Sequence, residues 1–481
     1  MDRSEKIETM TRGSHDFDAV AVNLTTPDIM EKHAFIPVAF RDGKLFAAFA
    51  DPFDVGAREA LRAACTYEIV PMFASRADID FYIDKFFGAS FIKKINPSDG
   101  ASIINLLDGI IKTAVLRGAS DIHIEPCEKH IRLRLRVDGI LAEFDRLPSE
   151  ILPNLISRLK IISGMDISER RLPQDGHFKQ TRGETKIDFR VSTISTIYGE
   201  KAVIRIIYEE IGVFDKHGLG FFDDGIDMLN GLLKNKNGVI LLTGPTGSGK
   251  TTTLAALVKD INDSGINIIT VEDPVENVIH GVNQININPK TGFDFANALR
   301  SIVRQDPDVI MVGEIRDEET ALLAVRSAIT GHLVLSTLHT NDAASAIFRL
   351  IDMNVPDYLV YTALKGIVSQ RLVRRICPRC KRKLKIARDD AFLLDLPVDS
   401  LIYSGDGCIN CNNTGYSGRF AVYEILAADD EFKQFLWERP SARDIDGFIK
   451  KSGMKTMREC AIQNVLLGNT TVREIIRAVV Y

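Results

Sequence analysis

A glycine-rich segment that ends in a lysine and three threonines carries the clearest chemical signal in the sequence. Residues 244–251 fit the pattern of Gly, four residues, Gly-Lys and Ser or Thr that forms phosphate-binding loops. An apolar run at 239–243 precedes the segment, and residues 251–259 are predicted to form a helix. Backbone N–H groups of such a loop surround phosphate oxygens, and the helix N-terminus attracts anions. The expected nucleotide-binding residues are Gly244, Pro245, Thr246, Gly247, Ser248, Gly249, Lys250, Thr251 and Thr252.

Polar side chains follow three further apolar runs, at the points where predicted strands end. These residues are Glu272 after 267–271, Glu314 after 308–312 and His339 after 333–338. Because the carboxyl ends of parallel strands meet at one edge of a sheet, we expect the three side chains to lie beside the phosphate loop. A nucleoside triphosphate held between two carboxylates and a lysine has the groups needed for hydrolysis.

The chemistry of phosphoryl transfer to water predicts a role for each of these side chains. Lys250 meets the β- and γ-phosphates, and Thr251 and Glu314 hold Mg²⁺. Glu272 orients or deprotonates the attacking water. His339 senses the γ-phosphate or ties the site to a neighbouring subunit. The sequence leaves open an exchange of roles between the two glutamates.

Four of the seven cysteines form two Cys-x-x-Cys pairs, Cys377/Cys380 and Cys408/Cys411, with 27 residues between the pairs. Such pairs favour a tetrahedral Zn²⁺ site with no open position, which is structural and not catalytic. Zinc would hold together a small insertion that could hardly fold without it. A thioredoxin-like redox pair lacks its surrounding fold, and free surface thiols are the less favoured alternative.

Changes in sequence pattern divide the chain into domains. Residues 132–137 alternate arginines with leucines and a valine ahead of Asp138-Gly139, which predicts an antiparallel hairpin. From about residue 232, apolar runs alternate with helical segments, which predicts a parallel sheet. The predicted parts are a small α/β domain (1–88), a linker (89–100), an α+β domain (101–208), a second linker (209–230) and an α/β nucleotide-binding domain (231–481) with a zinc insertion (377–411) and a helical C-terminal tail.

Composition limits the classes of partner. The net charge of −5 argues against an obligate nucleic-acid-binding protein, which usually has a basic excess. No apolar run reaches the roughly 18 residues that cross a bilayer, and the N-terminal residues lack the apolar stretch of a secretory signal. We therefore expect a cytoplasmic protein that reaches a membrane only through partners.

Longer motifs give the chain a family resemblance from about residue 101 to its C-terminus. Besides the phosphate loop they are residues 119–126 (ASDIHIEP), 171–176 (RLPQDG), 272–274 (EDP), 304–308 (RQDPD), 313–317 (GEIRD) and 330–340 (TGHLVLSTLHT). With them the chain resembles the GspE/PulE-type ATPases of type II secretion systems and the related PilB-type ATPases of type IV pilus assembly.

The resemblance implies an architecture, a function and partners. It implies a RecA-like P-loop ATPase domain preceded by a PAS-like domain and a small N-terminal docking domain. It further implies a homo-hexamer that hydrolyses ATP to ADP and phosphate to power pseudopilus assembly and protein export. The implied partners are bitopic GspL-like and polytopic GspF-like inner-membrane proteins, so the motor would be peripheral to the inner membrane.

Arginines complete the catalytic site in this family. The matching positions are Arg190, Arg205, Arg300, Arg304 and Arg316, of which Arg190 and Arg205 are the predicted catalytic pair. Arg205 lies inside the apolar run 203–207, where an unpaired guanidinium would be costly unless an anion met it. Pairing of Arg205 with a local acid is the alternative. Asp121, His123 and Glu125 alternate along one predicted strand, too far apart to share one ion unaided, so hydrogen bonding is preferred to metal binding there.

Three other functions are compatible with parts of the sequence. The nearest is a type IV pilus extension ATPase, whereas a retraction motor usually lacks both the tetracysteine insertion and the long N-terminal region. A nucleic-acid translocase is disfavoured because no basic-aromatic stripe is evident. An assembly scaffold that does not hydrolyse ATP would tolerate loss of Glu314.

Overall fold

The computed structural model describes residues 7–11, 15–87, 100–182, 185–208, 215–288 and 291–480. Its chain divides into two compact units. The first comprises residues 1–208 with segments 377–382 and 405–417, and the second comprises the remainder, 209–376, 383–404 and 418–481. The predicted linker 89–100 lies outside the described residues except for Gly100.

The first unit begins with a small α/β domain and continues with an α+β domain. Its helices are α1 (Ala19–Val22), α2 (Pro27–His33), α3 (Val55–Arg62), α4 (Arg76–Phe87), α5 (Gly100–Leu116) and α6 (Leu152–Ile162). Its strands are β1 (Phe35–Arg41), β2 (Lys44–Phe49), β3 (Ile69–Phe73), β4 (Ala119–Pro126), β5 (His130–Val137), β6 (Ile140–Pro148), β7 (Gln174–Arg182), β8 (Thr185–Thr196) and β9 (Gly199–Tyr208). In the small domain, β2 pairs antiparallel with β1 and parallel with β3.

Strands β4–β9 form one sheet in the order β6-β5-β4-β9-β8-β7 with antiparallel neighbours. Alternation along β5 buries Ile131 and Leu133 completely while Arg132 between them reaches the other face. Helices α5 and α6 supply apolar side chains to the same core as the sheet. The hairpin turn falls at Asp138-Gly139, where φ is 48° and 81°, so the predicted antiparallel hairpin is present.

The second unit is built on a seven-stranded sheet in the order β12-β11-β13-β14-β10-β15-β18. Its strands are β10 (Gly238–Thr243), β11 (Ile268–Glu272), β12 (Asn283–Asn286), β13 (Val309–Val312), β14 (Leu333–Leu338), β15 (Leu364–Ile376), β16 (Lys381–Lys385), β17 (Leu401–Gly405) and β18 (Tyr416–Ala427). Among the described strands, β16 and β17 form a separate two-stranded sheet. Parts of β16, β17 and β18 belong to the segments assigned to the first unit. The pairings from β12 through β11, β13, β14 and β10 to β15 are all parallel.

Helices cover both faces of this parallel sheet. They are α7 (Lys216–Leu219), α8 (Asp223–Leu233), α9 (Lys250–Ile261), α10 (Phe295–Ile302), α11 (Glu318–Ile329), α12 (Ala343–Asp352), α13 (Asp357–Ala363), α14 (Arg388–Leu394), α15 (Asp430–Trp437), α16 (Ala442–Lys451), α17 (Met457–Leu466) and α18 (Val472–Ile475), followed by a π-helical turn (Ile476–Val480). Along β10, Val239 and Leu241 join one apolar core, and Ile240 and Leu242 join the other. A strand buried on both faces must be apolar at every position, which explains the continuous apolar runs of the sequence.

The segment predicted as the second linker, 209–230, contains helical structure. Residues 209–214 are outside the described part of the chain, but α7 and most of α8 fall within the segment. The Phe222 N–H donates to the Tyr423 hydroxyl at 3.0 Å, and Leu229 is buried in the core of the second unit. The second unit therefore extends further toward the N-terminus than residue 231.

Candidate active site

Four adjacent strands end at the candidate site. The sheet order β11-β13-β14-β10 places the ends of these strands side by side. Glu272 ends β11, Glu314 follows β13, His339 follows β14 and the phosphate loop follows β10. The parallel registers therefore bring the strand-end residues predicted from the sequence to one edge of the sheet.

The phosphate loop has a backbone that favours glycine at three positions. Gly244, Gly247 and Gly249 have φ values of 146°, 79° and 86°. The loop connects β10 to α9, which begins at Lys250. Thr251 and Thr252 lie in the first helical turn, the former exposed and the latter half-buried. The sequence thus forms the expected strand, loop and helix, whose N-terminus presents N–H groups that the helix itself cannot satisfy.

Strand β15 forms a side wall of this loop. A Cβ atom added to Gly244 would lie 2.4 Å from the backbone oxygen of Gln370. The fully buried Gln370 side chain donates from Nε2 to the Ser248 carbonyl at 2.8 Å. Because β10 and β15 are in register up to Thr243 and Ser369, Gln370 is the next residue alongside the loop. Gly244 is therefore required by close backbone packing as well as by its φ angle.

Two polar groups within the loop are placed to bind a ligand. Lys250 Nζ donates to the carbonyls of Gly244 and Pro245, at 2.7 and 3.2 Å. Burial lowers the pKa of Lys250, and the negative charge of Glu314 opposes that shift. Ser248 Oγ is buried and has no hydrogen-bond partner within the described residues. Charged phosphate oxygens are stronger acceptors than carbonyls, so a bound polyphosphate would take over these donors.

Glu314 is the centre of a charged cluster. Its Oε1 lies 2.5 Å from Arg316 Nη2, and its Oε2 lies 3.3 Å from His339 Nε2. Burial alone would raise the pKa of Glu314, but Arg316 and His339 outweigh it and hold that pKa below its usual value. Glu314 is therefore an anion near neutral pH, as a cation ligand has to be.

Glu272 has the opposite electrostatic character. It is 5% exposed, and its Oε1 accepts from Thr270 Oγ1 at 2.7 Å and from Gln284 Nε2 at 3.0 Å. Burial raises the pKa of Glu272, and the nearby charge of Glu276 adds to the rise. A carboxylate with a raised pKa accepts a proton more readily than an ordinary one. The two glutamates thus differ in the way that a metal ligand and a proton acceptor should differ.

The remaining arginines near this edge contact other groups. Arg300 forms an ion pair with Glu319 and donates to Asn297 Oδ1 at 3.1 Å, whereas Arg304 donates to the Arg300 carbonyl at 2.6 Å. Of the three family arginines in the second unit, Arg316 is the one paired with a predicted catalytic residue.

Arg205 is not in an apolar environment, contrary to the expectation from residues 203–207. Its side chain is 69% exposed, and its Nε lies 3.1 Å from Asp121 Oδ1. Strand alternation directs Ile204 and Ile206 into the core and leaves Arg205 on the polar face. The structure therefore shows the alternative arrangement, in which Arg205 pairs with a local acid. Arg190 is its cross-strand neighbour, and both line a cavity of about 660 Å³ in the first unit.

The alternating acidic strand of the first unit serves hydrogen bonding. Glu125 lies 2.6 Å from Arg134 Nη2, 3.0 Å from Arg132 Nη2 and 3.1 Å from Lys201 Nζ. Burial opposes ionisation of Glu125, but Arg134 and Lys201 lower its pKa to about 2. These contacts fit the hydrogen bonding that the sequence predicts for this strand.

Sequence reasoning missed a second group of residues at the phosphate loop. A cavity of about 240 Å³ is lined by loop residues 245–248 together with Arg371, Leu372, Arg477 and Ala478. Glu474, whose side chain is 1% exposed, accepts from Arg374 Nη2 at 2.6 Å and from Arg477 Nη2 at 2.8 Å. No short motif marks these positions, because they reach the loop through the pairing of β15 with β10 and through the C-terminal helices.

The four paired cysteines come together with the spacing that zinc requires. Their sulfur atoms all lie within 4.8 Å of one another, and three of the separations are 3.7, 3.8 and 3.9 Å. Four thiolates around Zn²⁺ at about 2.3 Å stand about 3.8 Å apart. Backbone N–H groups of Cys408 and Gly415 donate to Cys411 Sγ at 3.2 and 3.3 Å, as expected for a sulfur that carries charge. The donor set therefore fits a closed tetrahedral metal site.

A phosphate loop, a buried glutamate and a glutamate paired with an arginine and a histidine lie at one edge of a parallel sheet. These features together define a P-loop ATPase. A protein-family profile described as Type II/IV secretion system protein matches residues 96–477, and one described as MshEN domain matches residues 7–91. The type II secretion system protein E of Xanthomonas campestris pv. campestris is 42% identical over 92% of this chain and 82% of its own length. The type IV pilus assembly ATPase PilB of Myxococcus xanthus is 37% identical over 96% of this chain and 87% of its own.

A solved structure shows the same similarity. The crystal structure of the pilus retraction motor PilT with bound ADP is 28% identical, covers 77% of this chain and 96% of its own, and has a TM-score of 0.51. The chain belongs to the type II/IV secretion system protein family and is an ATPase, which confirms the family and the enzyme class predicted from the sequence. None of the described helices has both the length and the apolar character needed to cross a membrane.

Proposed function

We propose that this ATPase powers pseudopilus assembly and protein export in a type II secretion system. The observation that carries the proposal is the strand-edge site itself, with Lys250, Glu272 and Glu314 on three of four adjacent strand ends. The chain is 42% identical to a type II secretion system protein E over most of both chains, which supports type II secretion as the process that ATP hydrolysis drives.

Each residue at the site has a proposed role that follows from its surroundings. Lys250 and the loop N–H groups bind the β- and γ-phosphates, and the unpartnered Ser248 hydroxyl donates to a phosphate oxygen. Glu272 holds the attacking water and takes its proton, because its raised pKa makes it the better base of the two glutamates. His339 and Arg316 keep Glu314 ionised and oriented. Arg190 and Arg205 remain proposed catalytic arginines, and their present contacts lie within the first unit.

Magnesium fits the same site. Thr251 and Glu314 would hold Mg²⁺, which neutralises charge on the β- and γ-phosphates when bound. Glu314 suits this role because it is an anion with a lowered pKa. The adjoining cavity with Arg371 and Arg477 offers two guanidinium groups and the apolar Leu372 and Ala478, a combination suited to the remainder of the nucleotide, the α-phosphate and base.

Zinc, oligomerisation and partners belong to the same proposal. Cys377, Cys380, Cys408 and Cys411 would hold structural Zn²⁺. The working form is a homo-hexamer in the cytoplasm, peripheral to the inner membrane, that acts on bitopic GspL-like and polytopic GspF-like proteins. These features rest on resemblance to the family, and nucleic acid is not among the proposed partners.

The alternative is a type IV pilus extension ATPase, which the 37% identity to a PilB over 96% of this chain favours. Deletion of the gene in its host separates the two functions. We expect loss of type II export with normal pilus-driven motility, and restoration of export by the wild-type chain but not by Lys250→Ala. Lost motility with unchanged export would instead assign the chain to pilus assembly.

A further inference from the structure

Each of the two cysteine pairs carries one inner residue that contacts the N-terminal domain. We call segments 377–382 and 405–417 the cysteine knuckle; both belong to the first unit. Arg379, between Cys377 and Cys380, forms an ion pair with Asp16. Ile409, between Cys408 and Cys411, packs against the apolar core of the N-terminal domain. Two separate segments of the knuckle thus meet the same small domain.

The N-terminal domain holds its side of this contact in a fixed position. Phe17, next to Asp16, is 6% exposed and lies 4.4 Å from the ring of Tyr82 and 4.7 Å from that of Phe86. Asp18 accepts from the Val20 N–H at 2.8 Å and so caps α1. Asp16 directly precedes these anchored residues, and its carboxylate is therefore presented from a well-packed surface.

The metal site would hold the other side of the contact in position. Arg379 and Ile409 each lie inside a Cys-x-x-Cys turn, so closure of the turn around a metal ion fixes their backbone. Besides the single 3-10 turn Ile409–Cys411, the described part of the knuckle has little regular structure to do this, since β16 and β17 form a separate two-stranded ribbon and such a ribbon is marginally stable. Loss of the metal would therefore release both contacting residues together.

The contact is weak enough to be reversible. The side chains of Arg379 and Asp16 are 49% and 54% exposed, and exposed ion pairs contribute little. Ile409 is half-buried. The two surfaces belong to one chain, however, and covalent linkage raises the effective concentration of a weak contact to about the millimolar range. A contact of this kind can form within one chain and can be opened by a competing partner or by a change in the knuckle.

We propose that the metal-loaded cysteine knuckle is a docking site for the N-terminal domain of the same chain, and that metal loading controls whether this domain is docked. The proposal goes beyond ATP hydrolysis and rests only on the zinc site of the proposed function. The knuckle is inserted in sequence between β15, which borders the phosphate loop, and β18. Docking therefore gives the N-terminal domain a second attachment to the chain besides its own C-terminal connection.

Zero-length carbodiimide cross-linking of the full chain tests this directly. The substitution Arg379→Lys keeps the positive charge and supplies an amine that can be coupled to the Asp16 carboxylate. The matched control is Arg382→Lys, because Arg382 is paired with Asp406 within the knuckle itself. The 379–16 and 382–406 links are counted by mass spectrometry before and after zinc is stripped with a chelator, and bound zinc is measured on the same samples.

We expect the 379–16 link in the zinc-loaded chain, its loss when Asp16→Asn is added, and at least a fivefold fall when zinc is removed. A mixture of isotopically light and heavy chains should give links within single chains. Equal yields with and without zinc would overturn control by the metal, and links only between chains would overturn docking within the chain. A chain that never binds zinc but still forms the link would refute the zinc site alone and leave the ATPase assignment untouched.

Discussion

Replacement of Glu272 by glutamine separates proton transfer from nucleotide binding. The amide is close in size to the carboxylate, and its oxygen can still accept from Thr270 and Gln284, which both donate to Oε1. The raised pKa of Glu272 means that its ionised form is disfavoured in the fold, so a neutral amide should leave stability unchanged or slightly higher. We expect kcat to fall by about 10²–10⁴-fold, the usual contribution of a positioned base, with little change in ATP affinity.

The pH dependence of kcat provides the second half of this prediction. Glu272 acts as a base only when deprotonated, so kcat of the wild-type enzyme should fall as the pH drops through its pKa. Because that pKa is raised, the fall begins at a higher pH than for an ordinary glutamate. Phosphate release measured from pH 5 to 9, with ATP binding measured separately, should show this limb in the wild type and not in Glu272→Gln.

The control is Glu276→Gln, an identical change at an exposed position four residues away. It should keep kcat within about twofold and move the acidic limb to lower pH, because the Glu276 charge contributes to the raised pKa of Glu272. Glu314→Gln should instead increase the Mg²⁺ concentration needed for half-maximal rate. If extra Mg²⁺ rescued Glu272→Gln but not Glu314→Gln, the roles given to the two glutamates would be reversed.

Four further substitutions test the phosphate loop, the polar face of the sheet in the first unit and the ion pairs of Glu474. Gly244→Ala should abolish ATP binding, because the added Cβ atom would lie 2.4 Å from a backbone oxygen. The control is Gly231→Ala, whose added Cβ atom would have no described neighbour within 4 Å; this variant should bind ATP normally in the same titration. Glu125→Gln should lower the free energy of unfolding by about 2 kcal/mol at pH 7. Because the pKa of Glu125 in the folded protein is lowered to about 2, this stabilisation is present above about pH 4.5 and disappears as the pH falls toward 2. Urea unfolding measured across that pH range will show the loss. Arg477→Ala should raise the KM for ATP about tenfold at constant kcat, and a KM that stays unchanged would remove the residue from the site. Glu474→Gln, which removes the buried charge that pairs with Arg374 and Arg477, should destabilise the protein by about 3 kcal/mol in thermal unfolding.

Local spacing made much of the site predictable. The phosphate loop needs residues that are adjacent in sequence, and its pattern therefore identified the segment 244–251 directly. Glu272, Glu314 and His339 were predicted because each follows an apolar run, and parallel strands end at a common edge. The cysteine pairs were predictable for a similar reason, since two short-range spacings carry the ligand geometry.

Long-range packing set the limits of that prediction. Gln370, Arg371 and Arg477 reach the loop through strand pairing and through the C-terminal helices, and no local pattern encodes those contacts. The predicted apolar environment of Arg205 was wrong, because the apolar run suggests a strand buried on both faces, whereas β9 has one polar face. The contact of Arg379 with Asp16 joins residues 363 positions apart, a separation over which sequence pattern carries no information.

Single-turnover hydrolysis tests the central claim most directly. Purified chain in excess over ATP carrying a radiolabelled γ-phosphate reports the chemical step, whatever limits later turnovers. The proposed site predicts that the wild-type chain with Mg²⁺ releases labelled phosphate, that Lys250→Ala fails to bind the nucleotide, and that Glu272→Gln binds ATP but retains it unhydrolysed. Hydrolysis at the wild-type rate by Glu272→Gln, or by Lys250→Ala, in the same assay would show that the strand-edge site does not carry out the reaction.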